Sequence, residues 1–297
     1  VREEIRKIQE LMEAAQYVTD APIATSVHLA LALGKPLLIE GHAGVGKTEV
    51  AKVLARMLGA DLIRLQCYEG LDASTALYEW NYQKQLLHIK LTEAAGDRSV
   101  DAREHEIFSE PFLLRRPLLQ AISHPSRSPV LLVDEVDRAD EEFEAFMLEV
   151  FSDWQVTIPE IGPIKAVYPP HVVLTSNRTR ELSDALRRRC LYLWIDYPTF
   201  EKEVRIVQLK VPGIDGRLAA QVARFVESLR QVRLTKVPGV AETLDWARAL
   251  VALHADHVDE ALLNETLGCL LKDADDIKRF RAEVAKSGLT PFLTVPS

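Results

Sequence analysis

The sequence predicts an α/β protein, a parallel sheet covered by helices on both faces, followed by an all-helical C-terminal part. Three observations carry this. Short, bounded apolar runs alternate with helical patterns from Leu37 to Ile195, as strands buried on both faces do. A glycine-rich turn joins the first of these runs to a helix. After Asp196-Tyr-Pro the strand signals nearly stop, which places the expected domains at residues 1–197 and 198–297.

Composition agrees with that layout. The chain has 297 residues, a formal charge of −8, 47% apolar and 27% charged residues. Such a length suits two domains, and such a composition buries a sizeable core and is far from the disordered class. Runs such as Val130–Val133 fall well short of a membrane span. The opening Val-Arg-Glu-Glu-Ile-Arg-Lys has no apolar h-region, so no secretory signal is expected. Cys67, Cys190 and Cys269 are too few and too scattered for a disulfide framework or a Cys-x-x-Cys zinc site, and a reduced, cytoplasmic protein is the expectation. The acidic balance argues against nucleic acid held by bulk charge.

In chain order, Val1, Ile5, Ile8, Met12 and Ala15 recur at helical spacing and predict an amphipathic helix over 1–17. Ser26–Leu33 reads as a second helix, stopped by Gly34. Leu37-Leu38-Ile39 is the first strand, and Lys47–Leu58 the helix after the turn. Further strands are expected at Leu62–Leu65, Val130–Val133, Val172–Thr175 and Leu191–Ile195. Two stretches exceed a minimal alternation. One separates the second and third strands and includes the polar segment Thr92–Glu106; the other is Pro/Gly-rich, from Phe151 to His171. In the latter, β-prone runs around Glu160–Pro163 predict a hairpin. Residues 199–285 read as mostly helical.

The turn Gly41-His-Ala-Gly-Val-Gly-Lys-Thr48 matches G-x-x-x-x-G-K-[ST], with a strand before it and a helix after it. Glycines at 41, 44 and 46 let backbone N–H groups turn in toward phosphate oxygens. The helix starting near Lys47 presents unpaired N–H groups and its positive dipole end to the anion. Lys47 reaches β- and γ-phosphates, and the Thr48 hydroxyl suits Mg²⁺. The expected nucleotide contacts are Gly41, His42, Ala43, Gly44, Val45, Gly46, Lys47, Thr48 and Glu49.

Val130-Leu-Leu-Val-Asp-Glu135 closes an apolar strand with paired carboxylates. Strand C-termini carry the ligands in parallel sheets, so Asp134 is a second magnesium ligand and Glu135 a general base for water. Asn177 closes the next strand, where a neutral amide holds an attacking water or merely makes a turn. Arg187, Arg188 and Arg189 cannot all face one ligand from a short helix. They form either a solvated face or a contact to a neighbouring subunit's γ-phosphate.

Together these motifs, in this order, resemble the AAA+ ATPases, and the whole chain resembles the MoxR family within them. Segments such as Leu65-Gln-Cys-Tyr-Glu-Gly70 and Gln155-Val-Thr-Ile-Pro-Glu160 are similar to the branch containing CoxD, a carbon monoxide dehydrogenase maturation ATPase. The resemblance implies a P-loop core with sheet order 5-1-4-3-2, a helix-2 insert, a pre-sensor-1 hairpin and a helical lid. It implies ATP and Mg²⁺ as ligands, with Thr48 and Asp134 on the metal, Glu135 as base and Asn177 as sensor 1. Arg188 and Arg189 become the trans-acting candidates, with Arg189 nearest the family's Arg-aromatic position and Cys190 standing in place of the aromatic residue. Tyr17 and Val18 fall where the base packs, or make an ordinary core contact. The sensor 2 arginine is replaced by Thr243, with Arg248 one turn on. A hexameric ring, a partner with a von Willebrand factor A domain and a client metalloenzyme are also implied.

Other residues invite roles and have simpler readings. His254 and His257 have metal-ligand types but suit a solvated face. Cys67 suits a buried thiol more than a metal or sulfur site. A small-molecule P-loop kinase and a nucleic-acid motor or loader are the competing functions. The hairpin, with only Lys165 as a basic residue in Gln155–Val167, speaks against the second.

Overall fold

The computed structural model describes residues 2–95 and 106–293. Most of the polar segment Thr92–Glu106 therefore lies outside the described residues. The strands are β1 (Leu37–Gly41), β2 (Leu62–Gln66), β3 (Tyr78–Trp80), β4 (Leu113–Arg115), β5 (Val130–Asp134), β6 (Gln155–Ile158), β7 (Gly162–Lys165), β8 (His171–Ser176) and β9 (Leu191–Ile195). Two compact units form, one from Val1–Ile5, Pro22–Glu40 and Ala51–Leu193, the other from Arg6–Ala21, Gly41–Val50 and Trp194–Ser297.

The first unit is built on a sheet of order β2-β5-β8-β1-β9. Numbering only these five strands along the chain and starting from β9 gives the expected 5-1-4-3-2. Pairings β2–β5, β5–β8 and β1–β8 are parallel, with Gln66 opposite Asp134 and Val133 opposite Leu174. The central strands β1, β5 and β8 are buried almost throughout, which is why they read as unbroken apolar runs. Among the helices are α1 (Arg2–Ala14), α2 (Ala21–Leu33), α3 (Lys47–Leu58), α4 (Ala73–Leu77), α5 (Tyr82–Ala95), α6 (Pro117–Ile122), α7 (Glu141–Asp153) and α8 (Asp184–Arg189). The small ribbon β3–β4 lies in the long insert, and β6–β7 is the expected antiparallel hairpin. Trp154, left-handed at φ 51, ends α7 and turns the chain into it.

Two helix ends differ from the sequence pattern. α1 stops at Ala14 because Gln16 adopts φ 61 and the Tyr17 N–H returns to Met12 O, so Tyr17 lies past the helix. α2 starts at Ala21, ahead of Ser26, with Pro22 in the first turn, where its missing N–H costs no bond.

The second unit holds α9 (Phe200–Lys210), α10 (Gly216–Leu229), α11 (Val240–Ala252), α12 (Glu260–Thr266), α13 (Ala274–Ser287) and α14 (Thr290–Leu293). Thr199, Asp215, Asp259 and Asp273 cap four of these helices through their side-chain oxygens. α10 buries Leu218, Val222, Phe225, Val226 and Leu229, a stripe at helical spacing. Phe225 packs at 5.0 Å from Trp246 and 5.6 Å from Phe280, the aromatic centre of that core. Lys202–Asp20 at 2.6 Å and Arg205–Glu13 at 2.9 Å fasten residues 6–21 to α9. Among the described residues no helix is long and apolar enough to cross a membrane.

Candidate functional site

The phosphate-loop motif lies in the second unit and opens α3. A Cβ on Gly41 would stand 2.1 Å from the Ile195 carbonyl oxygen, so no other residue fits there. Gly44 adopts φ +74, a left-handed conformation that only glycine adopts without strain. Its carbonyl accepts a 3.2 Å bond from Ala241 N–H at the start of α11. Lys47 is buried, and its Nζ donates to the carbonyls of Gly41 at 2.9 Å and His42 at 2.7 Å. The loop thus wraps around a cation at the positive end of a helix, an arrangement made for a polyanion.

Around the loop, the His42 ring lies parallel to Tyr197 at 4.5 Å and 6°, and meets Trp194 edge-on at 5.6 Å. Glu49, in the first turn of α3, pairs with Lys210 at 3.6 Å. Tyr17 and Val18 are buried in the same unit. Burial first, then the charges of Asp20 and Glu49, push the Tyr17 phenol above its ordinary range.

The acidic strand end lies in the first unit. Asp134 is buried at the tip of β5, where its Oδ1 accepts a 2.5 Å bond from the Thr175 hydroxyl. Its Oδ2 accepts from Arg64 Nε at 3.1 Å and Nη2 at 2.6 Å. Glu135 is left-handed at φ 55, ψ 49, a conformation that costs a non-glycine residue about 1–2 kcal/mol. Its N–H donates to Thr175 Oγ1 at 2.9 Å, while its carboxylate takes Gln66 Nε2 at 3.2 Å and Arg138 at 3.3 Å. Backbone strain held in place by specific bonds is common at working sites.

Asn177 follows β8. Its N–H donates to the buried Asp137 carboxylate at 3.2 Å, and Thr179 supplies a second N–H at 2.8 Å and a hydroxyl at 2.7 Å. The Asn177 amide group itself takes no hydrogen bond from the described residues. Sequence reading missed Asp137, Thr175, Arg64 and Gln66. Only Asp137 left a trace, as a further acid after Asp134-Glu135.

The arginines of α8 separate. Arg187 sits 3.7 Å from the buried Glu40 carboxylate and over the Tyr192 ring. Arg189 donates to Leu148 O at 2.7 Å and to the Ser152 hydroxyl. Arg188 is exposed and has no partner among the described residues.

The remaining candidates resolve as follows. Thr243 is fully buried, with its hydroxyl 2.7 Å from Glu203 Oε1 and 3.0 Å from Gly239 O. Arg248 is spent on Asp245 at 3.2 Å on the same exposed helix face. Burial, reinforced by Asp134, Asp137 and Glu135, raises the Cys67 thiol to about 12, so it stays protonated and unreactive. Burial likewise raises Cys190 to about 12. His254 and His257 are exposed, and no group of three or more metal-ligand side chains clusters among the described residues.

A glycine-rich loop of this motif, running from a parallel strand into a helix, defines a P-loop protein. The AAA domain of the dynein-related subfamily matches residues 36–190, more than half the chain, and the chain belongs to that family. It is 24% identical over 283 residues to the gas vesicle ATPase GvpN of Haloferax mediterranei, covering 88% of this chain and 76% of that one. It is also 24% identical over 217 residues to the denitrification regulatory protein NirQ of Stutzerimonas stutzeri, covering 71% and 69%. The fold resembles the Thermotoga maritima RuvB Holliday junction branch migration motor, with a TM-score of 0.50 at 17% identity, covering 97% and 78%.

Proposed function

We propose that this chain is an ATP-hydrolysing remodelling ATPase of the MoxR type. It converts ATP and water to ADP and phosphate and uses the cycle to assist cofactor maturation or activation of a client metalloenzyme, such as a molybdenum–copper carbon monoxide dehydrogenase. One observation carries the reading: a glycine loop closed around the buried Lys47 ammonium at a helix start, in a chain of the AAA family. The relative named a gas vesicle ATPase supports the hydrolytic part. Residues 1–197 serve as the nucleotide-binding domain and 198–297 as the lid, in a cytoplasmic hexameric ring with a von Willebrand factor A partner.

Residue roles follow from chemistry. Loop amides from Gly41 to Glu49 and the Lys47 ammonium bind the phosphates, with Tyr17 and Val18 beside the base. The Thr48 hydroxyl and Asp134 carboxylate are hard oxygen donors that fit Mg²⁺. Bound there, the metal neutralises phosphate charge. Glu135 takes the proton of the attacking water, Asn177 orients that water with its side-chain amide, and Arg188 or Arg189 reaches a neighbouring subunit's γ-phosphate.

The test is Glu135→Gln in the full chain, followed by binding of a fluorescent ATP analogue and by phosphate release. Binding is expected to match wild type while turnover is lost. Undiminished turnover would rule out Glu135 as the base.

A further inference from the structure

The geometry points to an aromatic–guanidinium relay, His42–Tyr197–Arg230, through which the helices of the second unit respond to a nucleoside triphosphate on the phosphate loop. The inference rests on the reading of that loop as an ATP site and adds three residues, Tyr197, Arg230 and Glu203, to which that reading gives no part. All the contacts lie within the second unit.

The usual position for a lid arginine is filled by Thr243, whose hydroxyl is committed to Glu203, and Arg248 faces solvent. The buried guanidinium in this region belongs instead to Arg230, 6% exposed at the end of α10. It grips Glu203, which is 0% exposed, through Nη1–Oε2 at 2.6 Å and Nη2–Oε1 at 2.8 Å. Its Nε donates to Pro238 O at 2.9 Å. A two-pronged, fully desolvated pair of this kind fixes the guanidinium plane in one orientation.

Two lines of contact run from that fixed plane to the loop. Arg230 lies over the Tyr197 ring at 4.6 Å, and Tyr197 is parallel to His42 at 4.5 Å. The His42 carbonyl is one of the two that accept Lys47 Nζ. A phosphate that draws the Lys47 ammonium away frees the His42 peptide, and the stacked rings pass that change to Arg230. The second line starts at Pro238 O and ends at Gly239, packed directly on Ala43 and Gly44. Arg230 is thus a positioning residue, acting through Tyr197 and the 238–243 turn, without touching phosphate itself.

Tyr197 is the informative position, because its replacement leaves the Arg230–Glu203 pair intact. The full chain is compared with Tyr197→Leu and Tyr197→Phe by ATP-analogue binding, phosphate release, and hydrogen–deuterium exchange of residues 200–252 with and without saturating ATP and Mg²⁺. Wild type and Tyr197→Phe, which keeps the ring, are expected to show ATP-dependent protection of residues 239–243. Tyr197→Leu is expected to bind ATP within about threefold of wild type, to lose that protection, and to turn over about tenfold more slowly. Wild-type protection in Tyr197→Leu overturns the relay, as does equal loss in Tyr197→Phe. Should Tyr197→Leu fail to fold, His42→Ala at saturating ATP probes the same relay from an exposed side chain: loss of protection supports it, and retained protection overturns it. A wild-type chain that binds no ATP removes the site reading itself, a result separate from any difference among variants.

Discussion

The Thr175 hydroxyl donates at 2.5 Å to Asp134 Oδ1 and accepts the Glu135 N–H at 2.9 Å, so one side chain on β8 fixes both the acid that ends β5 and the acid that follows it. Thr175→Val preserves shape and β-branching but removes both bonds. The Glu135 N–H, in a left-handed residue, then lacks its acceptor, a loss of about 1–3 kcal/mol. Because the bonds orient the two acids proposed as metal ligand and base, turnover should fall by roughly 10–100-fold. Thr175→Ser should stay near wild type. Thermal unfolding and phosphate release check both; a valine variant with full turnover shows that β5 holds its acids unaided.

Among the described residues Arg188 differs from its neighbours in having its guanidinium uncommitted, whereas Arg189 is bonded to Leu148 O and Ser152 and Arg187 faces Glu40. Arg188→Ala should lower turnover by about 10³-fold or more, the scale of an arginine supplied in trans. Arg189→Ala should stay within a few-fold of wild type. Mixing Arg188→Ala with Glu135→Gln should restore part of the activity, since the second variant supplies the arginine and the first the base. Additive behaviour in the mixture would place Arg188 outside the neighbouring site.

The parts of the site legible in the sequence were those whose chemistry is local. Gly41–Thr48 and Asp134-Glu135 are contiguous, and the strands ahead of them are buried on both faces, so periodicity and motif agree. What escaped depends on partners far apart in the chain. Asp137 binds the backbone of Asn177 and Thr179, Arg64 reaches Asp134, and Glu203 meets Arg230 and Thr243. A lone Thr175 inside a strand resembles any β-branched residue until its neighbour strand is known. The early stop of α1 was invisible for another reason: Gln16 in a left-handed turn has no glycine to mark it.

Asp276 gives the helical unit an acid-sensitive point. Burial alone would raise its carboxyl, but N–H bonds from Thr235 and Lys236, each 2.8 Å, together with Arg279 nearby, hold it below its ordinary value. A carboxyl lowered in the folded state stabilises above its unfolded pKa of about 3.9 and loses that contribution as pH falls through the folded value. The stability difference between wild type and Asp276→Asn should therefore be full at neutral pH and shrink below about pH 4. Urea unfolding of both proteins across that range measures it. A gap that does not change with pH would assign the effect to packing.

Gly239 tests how closely the start of α11 is fitted to the loop. Its φ of −88° is open to any residue, so alanine brings no backbone strain there. The obstacle is steric: a Cβ would lie 2.6 Å from Ala43 O and 2.9 Å from Gly44 C and Cα. These are backbone atoms that cannot rotate aside, so either the loop or the turn must shift. Displacements of that order at a positioning site cost up to about 10²-fold. Gly239→Ala should thus weaken ATP-analogue binding by at least about tenfold while the chain stays folded by circular dichroism. Gly268→Ala, where a Cβ meets nothing within 4 Å, is the control and should bind as wild type. Equal affinity in the two variants would mean that the loop yields freely, and that the close packing of Gly239 on Ala43 and Gly44 does not govern the phosphate site.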